Sequence, residues 1–220
     1  MTTAAAASEP LRSTYRHGDL RRALIDAGIA LARGGGPDAV VLREATRRAG
    51  VVPNAAYRHF ASREALLQAV RAAALSALAV AMESELGRVR PAHPRTAGRR
   101  AESARAGLRA VGTAYLRFAQ AEPGLFRTAF AAPGAAADQA DPGKAGRSGL
   151  DPFQLLGAAL DRMVEAGALP SARRPGAEYL AWSAVHGLAM LVIDGPLRRL
   201  SRRQVRAIGE RVIAMVEKGL

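Results

Sequence analysis

From Leu20 to Met215 the apolar residues of this chain return every three or four positions, and nowhere do they alternate cleanly with polar ones. A period near 3.6 gathers side chains into a stripe on a helix and scatters them over both faces of a strand, so the chain is read as all-α. Leu20, Leu24, Ala27 and Leu31 place a first helix from an Asp19 N-cap to Arg33, stopped by Gly34-Gly35-Gly36-Pro37. A short helix from Leu42 to Ala49 ends at Gly50, and a second follows Pro53 to about His59. Ser62 then caps a long helix ending near Gly87, with Leu66, Ala69, Val70, Ala73 and Ala77 on one face. Residues 88–100 are expected to be a basic linker. Helical spacing resumes over 102–120, around Leu125 to Phe130, and over 151–167, 175–194 and 201–218. Residues 1–14 are expected to be a disordered tail. Residues 132–149, rich in Gly, Pro and Ala, are expected to be a mobile loop. The division predicted is 15–70 and 71–220, both helical.

Composition closes off several classes of function. With no cysteine among 220 residues there is no disulfide framework, no thiolate nucleophile and no Cys-based zinc site. His17, His59, His93 and His186 are never three or four residues apart, so no metal or cofactor is expected. No apolar run reaches the ~18 residues of a membrane span, and residues 1–10 lack the basic and apolar segments of a signal peptide. A cytoplasmic protein with no membrane partner is the expectation. The net charge is +13, from 32 basic against 19 acidic residues, and all the basic residues are arginine except Lys144 and Lys218. Such a balance favours polyanions, nucleic acid first. The charge is spread at +4, +5 and +4 over residues 1–70, 71–110 and 111–220, so it does not locate a binding site.

A motif does. In LREATRRAGVVPNAAYRHF, residues 42–60, two short helices flank a turn at Gly50, the layout of a helix-turn-helix whose second helix enters the major groove. The start of that second helix, Val52, Pro53, Asn54 and Ala55, is small or polar, so its backbone can come close to base edges. Asn54 suits a bidentate pair with adenine, and Ala55 or Val52 a thymine methyl. Tyr57, Arg58, His59 and Arg63 are placed to reach phosphates, which set register rather than sequence. Val51 and Phe60 read as core, and Arg47 and Arg48 as a solvated face. Arg12, Arg16, Arg21 and Arg22 are weaker candidates for backbone or minor-groove contact.

This segment resembles the recognition-helix signature of the tetracycline-repressor (TetR) family of bacterial regulators. The match lies at Ala49, Gly50, Val51, Tyr57, His59, Phe60 and Arg63, and the resemblance covers about residues 15–70. It implies a dimer with an N-terminal three-helix DNA-binding domain and a helical C-terminal domain that binds a small effector. Val41 and Val52 stand where the family usually has hydroxyl residues, with Arg43 as a possible substitute contact from the first turn of its helix.

The C-terminal half contains EYLAWSAVHGLAMLVIDGP, apolar nearly all round, and such a helix is buried on every side. One of those sides is expected to be covered by a second subunit. Trp182, His186 and Met190 share a face, and Trp-x-x-x-His-Gly resembles a subgroup of the same family. With Tyr115, Phe118 and Phe126 they are the candidate walls of an effector pocket, mostly apolar; His186 is either core or the one polar anchor. Val205, Ile208, Val212 and Met215 form an a/d-like seam expected to hold a homodimer, with intrachain core as the alternative. The function expected is a repressor released from a pseudo-palindromic operator in double-stranded DNA by a small hydrophobic effector. The alternatives are a nucleoid-like, non-specific DNA binder and, least, an enzyme, for which no catalytic motif is present.

Overall fold

The computed structural model describes residues 17–89, 96–131 and 141–220. The described chain is helical, without a strand among the described residues. Nine α-helices follow in order among the described residues: α1 (His17–Gly35), α2 (Leu42–Arg48), α3 (Pro53–Tyr57), α4 (Arg63–Leu86), α5 (Ala97–Ala121), α6 (Pro123–Phe130), α7 (Pro152–Glu165), α8 (Ala177–Ile193) and α9 (Arg202–Gly219). The expected tail 1–14 and the first part of the expected loop, 132–140, lie outside the described residues.

α1, α2 and α3 pack as a small N-terminal unit against the start of α4. α2 ends as its sequence requires. Gly50 has φ +68, and the Gly50 and Val51 amides donate to the Arg47 and Thr46 carbonyls, closing the helix in a Schellman motif. α4 starts at Ser62, whose hydroxyl accepts from the Ala65 amide at 3.1 Å, a cap worth about 1 kcal/mol. It buries Leu66, Leu67 and Val70 beside α1, then Ala74, Leu75, Leu78, Ala79 and Met82 among α5, α6 and α7, so one apolar core runs through both halves. α4 is the one helix among the described residues long and apolar enough to cross a membrane; half of that stretch is buried inside the protein. Length and composition therefore overstate it: the apolar residues face other helices.

A second junction joins the halves. α6 lies on the end of α1 so closely that a Cβ at Gly124 would sit 2.2 Å from the Ala32 carbonyl oxygen. Arg33 Nε donates to Glu122 at 3.1 Å, and Arg127 Nε to Asp194 at 2.7 Å, tying α6 to α1 and to the end of α8.

Three expectations need correction. α5 begins at Ala97, inside the expected linker, because Arg99, Arg100, Ala101 and Glu102 are good helix formers despite the prolines before them. The described part of the expected mobile loop is anchored to α4. Ser76 donates to the Ala145 carbonyl at 2.7 Å, and Glu83 accepts from the Arg147 amide at 2.8 Å and from the Ser148 amide and hydroxyl at 2.8 and 2.6 Å. Composition does not reveal this, because the partners lie more than sixty residues upstream. The third is Val205, which faces inward. α9 turns Val205, Gly209 and Ile213 onto α5 and α8, with Ile213 against Gly112 and Gly209 beside Leu116. The buried stripe is thus rotated from the predicted seam: Ile208 and Val212 are half-buried, and Met215 is 62% exposed.

Burial alone would raise the Glu83 carboxyl, but the hydrogen bonds from Ser148 and Arg147 outweigh it, and the group titrates below its ordinary value of 4.5. A depressed folded-state pKa contributes stability that is present above the unfolded value and lost as pH falls through the folded one. Hydrogen-exchange protection of the Arg147 and Ser148 amides, relative to the rate of an unstructured chain at the same pH, should therefore persist at neutral pH and fall only below pH 4.5, while Glu83→Gln should lower it at pH 7. Equal exchange in the variant and the native protein would contradict the anchoring role.

Candidate DNA-binding surface and ligand cavity

The helix-turn-helix presents the surface its sequence implies. Phe60 is 3% exposed and Val51 half-buried, so both serve the core as read from the sequence. On the opposite side Val52 is 68% and Tyr57 58% exposed. Asn54, Arg58 and Arg43 are also exposed, while Ala55 and His59 are half-buried. Pro53 takes the first position of α3; its side chain is outside those described. Val41 and Val52 occupy the N-cap positions of α2 and α3, and neither cap has a side-chain hydrogen bond, so the hydroxyl-to-valine departures leave both helix starts uncapped. Glu44 gathers Arg47 at 2.7 Å and Arg48 at 3.4 Å, and these bonds, Arg47's first, hold its carboxyl near 2 against desolvation. Arg47 and Arg48 are thereby occupied on their own helix. Arg43 and Arg58 form no ion pair with a described residue.

Arg63 has a different setting from the one expected. Its Nε donates to the Val40 carbonyl at 2.9 Å and its Nη2 to the Pro37 carbonyl at 2.8 Å. It pins the start of α4 to the α1–α2 connection, a fold contact invisible to motif spacing. Of the candidate N-terminal arginines, Arg12 and Arg16 lie outside the described residues, Arg21 stacks over the Phe60 ring at 5.2 Å, and Arg22 is 3.9 Å from Asp26.

The C-terminal half holds a partly open cavity. Leu75 and Met82 of α4 form one wall. Leu108, Val111, Gly112 and Tyr115 of α5 form another, and Phe130, Phe153, Leu156, Trp182 and Val185 close the far side. α9 contributes Ile213 and Val216, and Lys144 and Asp151 stand among the lining residues. Of the six residues expected to line a pocket, Tyr115 and Trp182 do so. Phe118 and Phe126 are buried outside the lining, and His186 and Met190 also lie outside it. An all-apolar helix gives no sign of which side meets a void. The missed residues Leu75 and Met82 carried one signal only, their place on the long helix.

The polar groups behind the wall satisfy one another. Trp182 Nε1 donates to the Tyr115 hydroxyl at 3.0 Å, and that hydroxyl lies 2.7 Å from His186 Nδ1. The hydroxyl thus bridges the indole N–H and one imidazole nitrogen. Burial pushes the His186 pKa below its ordinary value and the Tyr115 pKa far above its own, so both are neutral at pH 7. Phe126 stacks on the imidazole at 5.6 Å, and Phe130 meets it edge-on at 4.9 Å. His186 is thus held inside an aromatic cluster, with one ring nitrogen already bonded.

Comparison with known proteins accounts for both halves. The family model described as bacterial regulatory proteins, tetR family, matches residues 24–70, and that of the tetracyclin repressor-like C-terminal domain matches residues 108–216. A protein of unknown function from Rhodococcus sp. RHA1 superposes with a TM-score of 0.72 at 26% identity, over 95% of this chain and 99% of its own. A Mesorhizobium loti protein described as a TetR-family regulator gives 0.55 at 16% identity over 92% and 96%, and a TetR transcriptional regulator from Rhodococcus sp. RHA1 gives 0.50 at 18% over 92% and 97%, which speaks to fold. No curated protein sequence matches this chain. With its recognition surface exposed, its cavity in the C-terminal half and both family models on the matching segments, the chain belongs to the TetR family of DNA-binding transcriptional regulators.

Proposed function

We propose that this protein is a homodimeric repressor that occupies a pseudo-palindromic operator and releases it when a small, largely apolar effector enters the cavity. The observation that carries this reading is that one helix serves both sites. α4 lends Leu66, Leu67 and Val70 to the core beside α1 and Leu75 and Met82 to the cavity wall. A ligand shifts a two-state equilibrium only through unequal affinity for the two states. One that touches Leu75 and Met82 senses where α4 lies, and so distinguishes two placements of the DNA-binding helices. On this reading residues 15–70 bind DNA, residues 71–220 bind effector and dimerise, and the border falls within α4. Tyr115 and Trp182 touch the effector; Phe126 and His186 support that wall, and Phe118 and Met190 belong to the surrounding core.

Asn54 reads a base edge, Val52 and Ala55 meet a thymine methyl beside it, and Arg43, Tyr57, Arg58 and His59 meet phosphates. Arg63 supports this surface through the Pro37 and Val40 carbonyls. The dimer forms through the outward stripe of α8 and α9. Leu180 is 65%, Leu191 43% and Met215 62% exposed, and Ala184, Ile208 and Val212 lie half-buried on the same two helices. Exposed apolar stripes of this kind mark interfaces. The two recognition helices would then sit about 34–36 Å apart, or a multiple of that.

Tyr57→Ala and Arg58→Gln should weaken binding to every DNA alike, because phosphates carry no base identity. Asn54→Ala should lose about 1–3 kcal/mol of discrimination at one position per half-site. Selection of bound fragments from random DNA reads both, and an unchanged consensus for Asn54→Ala would remove its base-reading role. A complex that excess unrelated DNA titrates away would instead mark the non-specific binder that +13 alone favours. Light scattering at micromolar concentration should give a dimer, and Leu180→Glu with Met215→Glu should give a folded monomer; an unchanged mass would place the interface elsewhere. Ala181→Phe, which fills the cavity from α8, should leave operator affinity in place while abolishing release by an effector found by screening. Release at native effector concentrations would place the effector outside this cavity.

A further inference from the structure

The lining of the cavity is mostly apolar. In its wall the Trp182 indole N–H and the Tyr115 hydroxyl are engaged with each other and with His186 Nδ1, and His186 itself does not line the cavity, so an incoming molecule competes with internal hydrogen bonds there. Lys144 and Asp151 are the two charged residues of the lining. They are not equivalent. Asp151 caps α7: its Oδ1 accepts from the Gln154 amide at 2.8 Å, and the Gln154 side chain accepts from the Asp151 amide at 2.9 Å. A carboxylate at a helix N-terminus is already stabilised by the helix dipole. Lys144 forms no ion pair with Asp151 or with any other described residue. It is half-buried, and one of only two lysines in a chain whose other cations are arginine.

Its position is fixed from outside the cavity. Lys144 closes a short turn whose Asp141 cap accepts from the Gly143 amide at 2.9 Å. The residues just after it are held to α4 by the Ser76 bond to Ala145 and by Glu83 under Arg147 and Ser148. Lys144 therefore lines an apolar chamber from a braced segment, and the brace is the helix that leads to the DNA-binding unit.

From this arrangement we infer that the cavity takes an organic acid with an apolar body, its chain or ring among Leu75, Met82, Val111 and Trp182 and its carboxylate against Lys144. The inference deepens the reading of the cavity as an effector site and names the effector's chemical class. A neutral apolar molecule would fill the same walls but leave Lys144 without an ion-pair partner among the described residues. A cation would meet Lys144 as a like charge.

Trp182, the single tryptophan, lines the cavity, so its emission reports occupancy without DNA present. Decanoate, 1-decanol and decyltrimethylammonium, each titrated below its aggregation limit, share one apolar body and differ in the head group. In the full-length native protein decanoate should bind about tenfold more tightly than decanol, the scale of one charge-assisted bond, and the cation most weakly. Lys144→Gln should bring decanoate down to the affinity of decanol while leaving decanol unchanged, which also shows that the variant is folded. Equal binding of acid and alcohol by the native protein, an acid preference that survives Lys144→Gln, or no emission change with any of the three would overturn the inference. The regulatory reading is tested apart from it: decanoate binding that depends on Lys144 but does not loosen operator DNA would leave the ligand class standing and remove the effector role.

Discussion

Removal of one helix from water is the interaction on which the rest of this structure depends. α4 carries small and branched apolar residues at nearly every turn, and these are covered first by α1 and then by α5, α6 and α7. Burial of this kind, at roughly 25 cal/mol for each Å² of apolar surface, is the dominant favourable term in folding. Because the same stretch supplies core to both halves, neither half closes its core without it. The halves are thereby joined by packed side chains rather than by a linker, and packed cores move between discrete arrangements instead of deforming continuously.

A second junction adds to that packing. Gly124 lets α6 settle onto the end of α1, and the Arg33–Glu122 and Arg127–Asp194 pairs fix it there. α6 thereby contacts α4 on one side and α1 on the other. An aromatic cluster lies on the far side of the cavity. Tyr115 is bonded to both Trp182 and His186, and their rings pack with Phe126 and Phe130. The cavity thus has one wall that belongs to the helix spanning both units and one that is internally braced.

Much of the fold was legible from residue spacing. Periodicity set the helices, and Gly50, Ser62 and Pro53 marked ends or beginnings that the structure keeps. Local chemistry is enough there, because a cap or a left-handed turn is decided by residues within four positions. The motif from Ala49 to Arg63 marked the helix-turn-helix, and Phe60 and Val51 were identified as core. Spacing misplaced what depends on distant partners. Arg63 is held by carbonyls more than twenty residues back, the segment after Asp141 is held by Glu83 and Ser76, and the inward stripe of α9 is chosen by Gly112 and Leu116 of α5.

The sequence by itself determined that the chain is helical, where most of its helices break, and that a short, exposed helix follows Gly50. Those properties come from side-chain period and backbone preference, which act locally. The tertiary structure alone decided which face of each helix meets a neighbour, because a helix apolar on several sides can satisfy burial in more than one rotation. It therefore decided that Val205 belongs to the core while Met215 faces outward, and that Leu75 and Met82 line a cavity while Phe126 does not. It also decided that Lys144 stands where an apolar chamber opens. Voids and unpaired charges arise from how helices from distant parts of the chain fit together, and the period of any one of them carries no record of that fit.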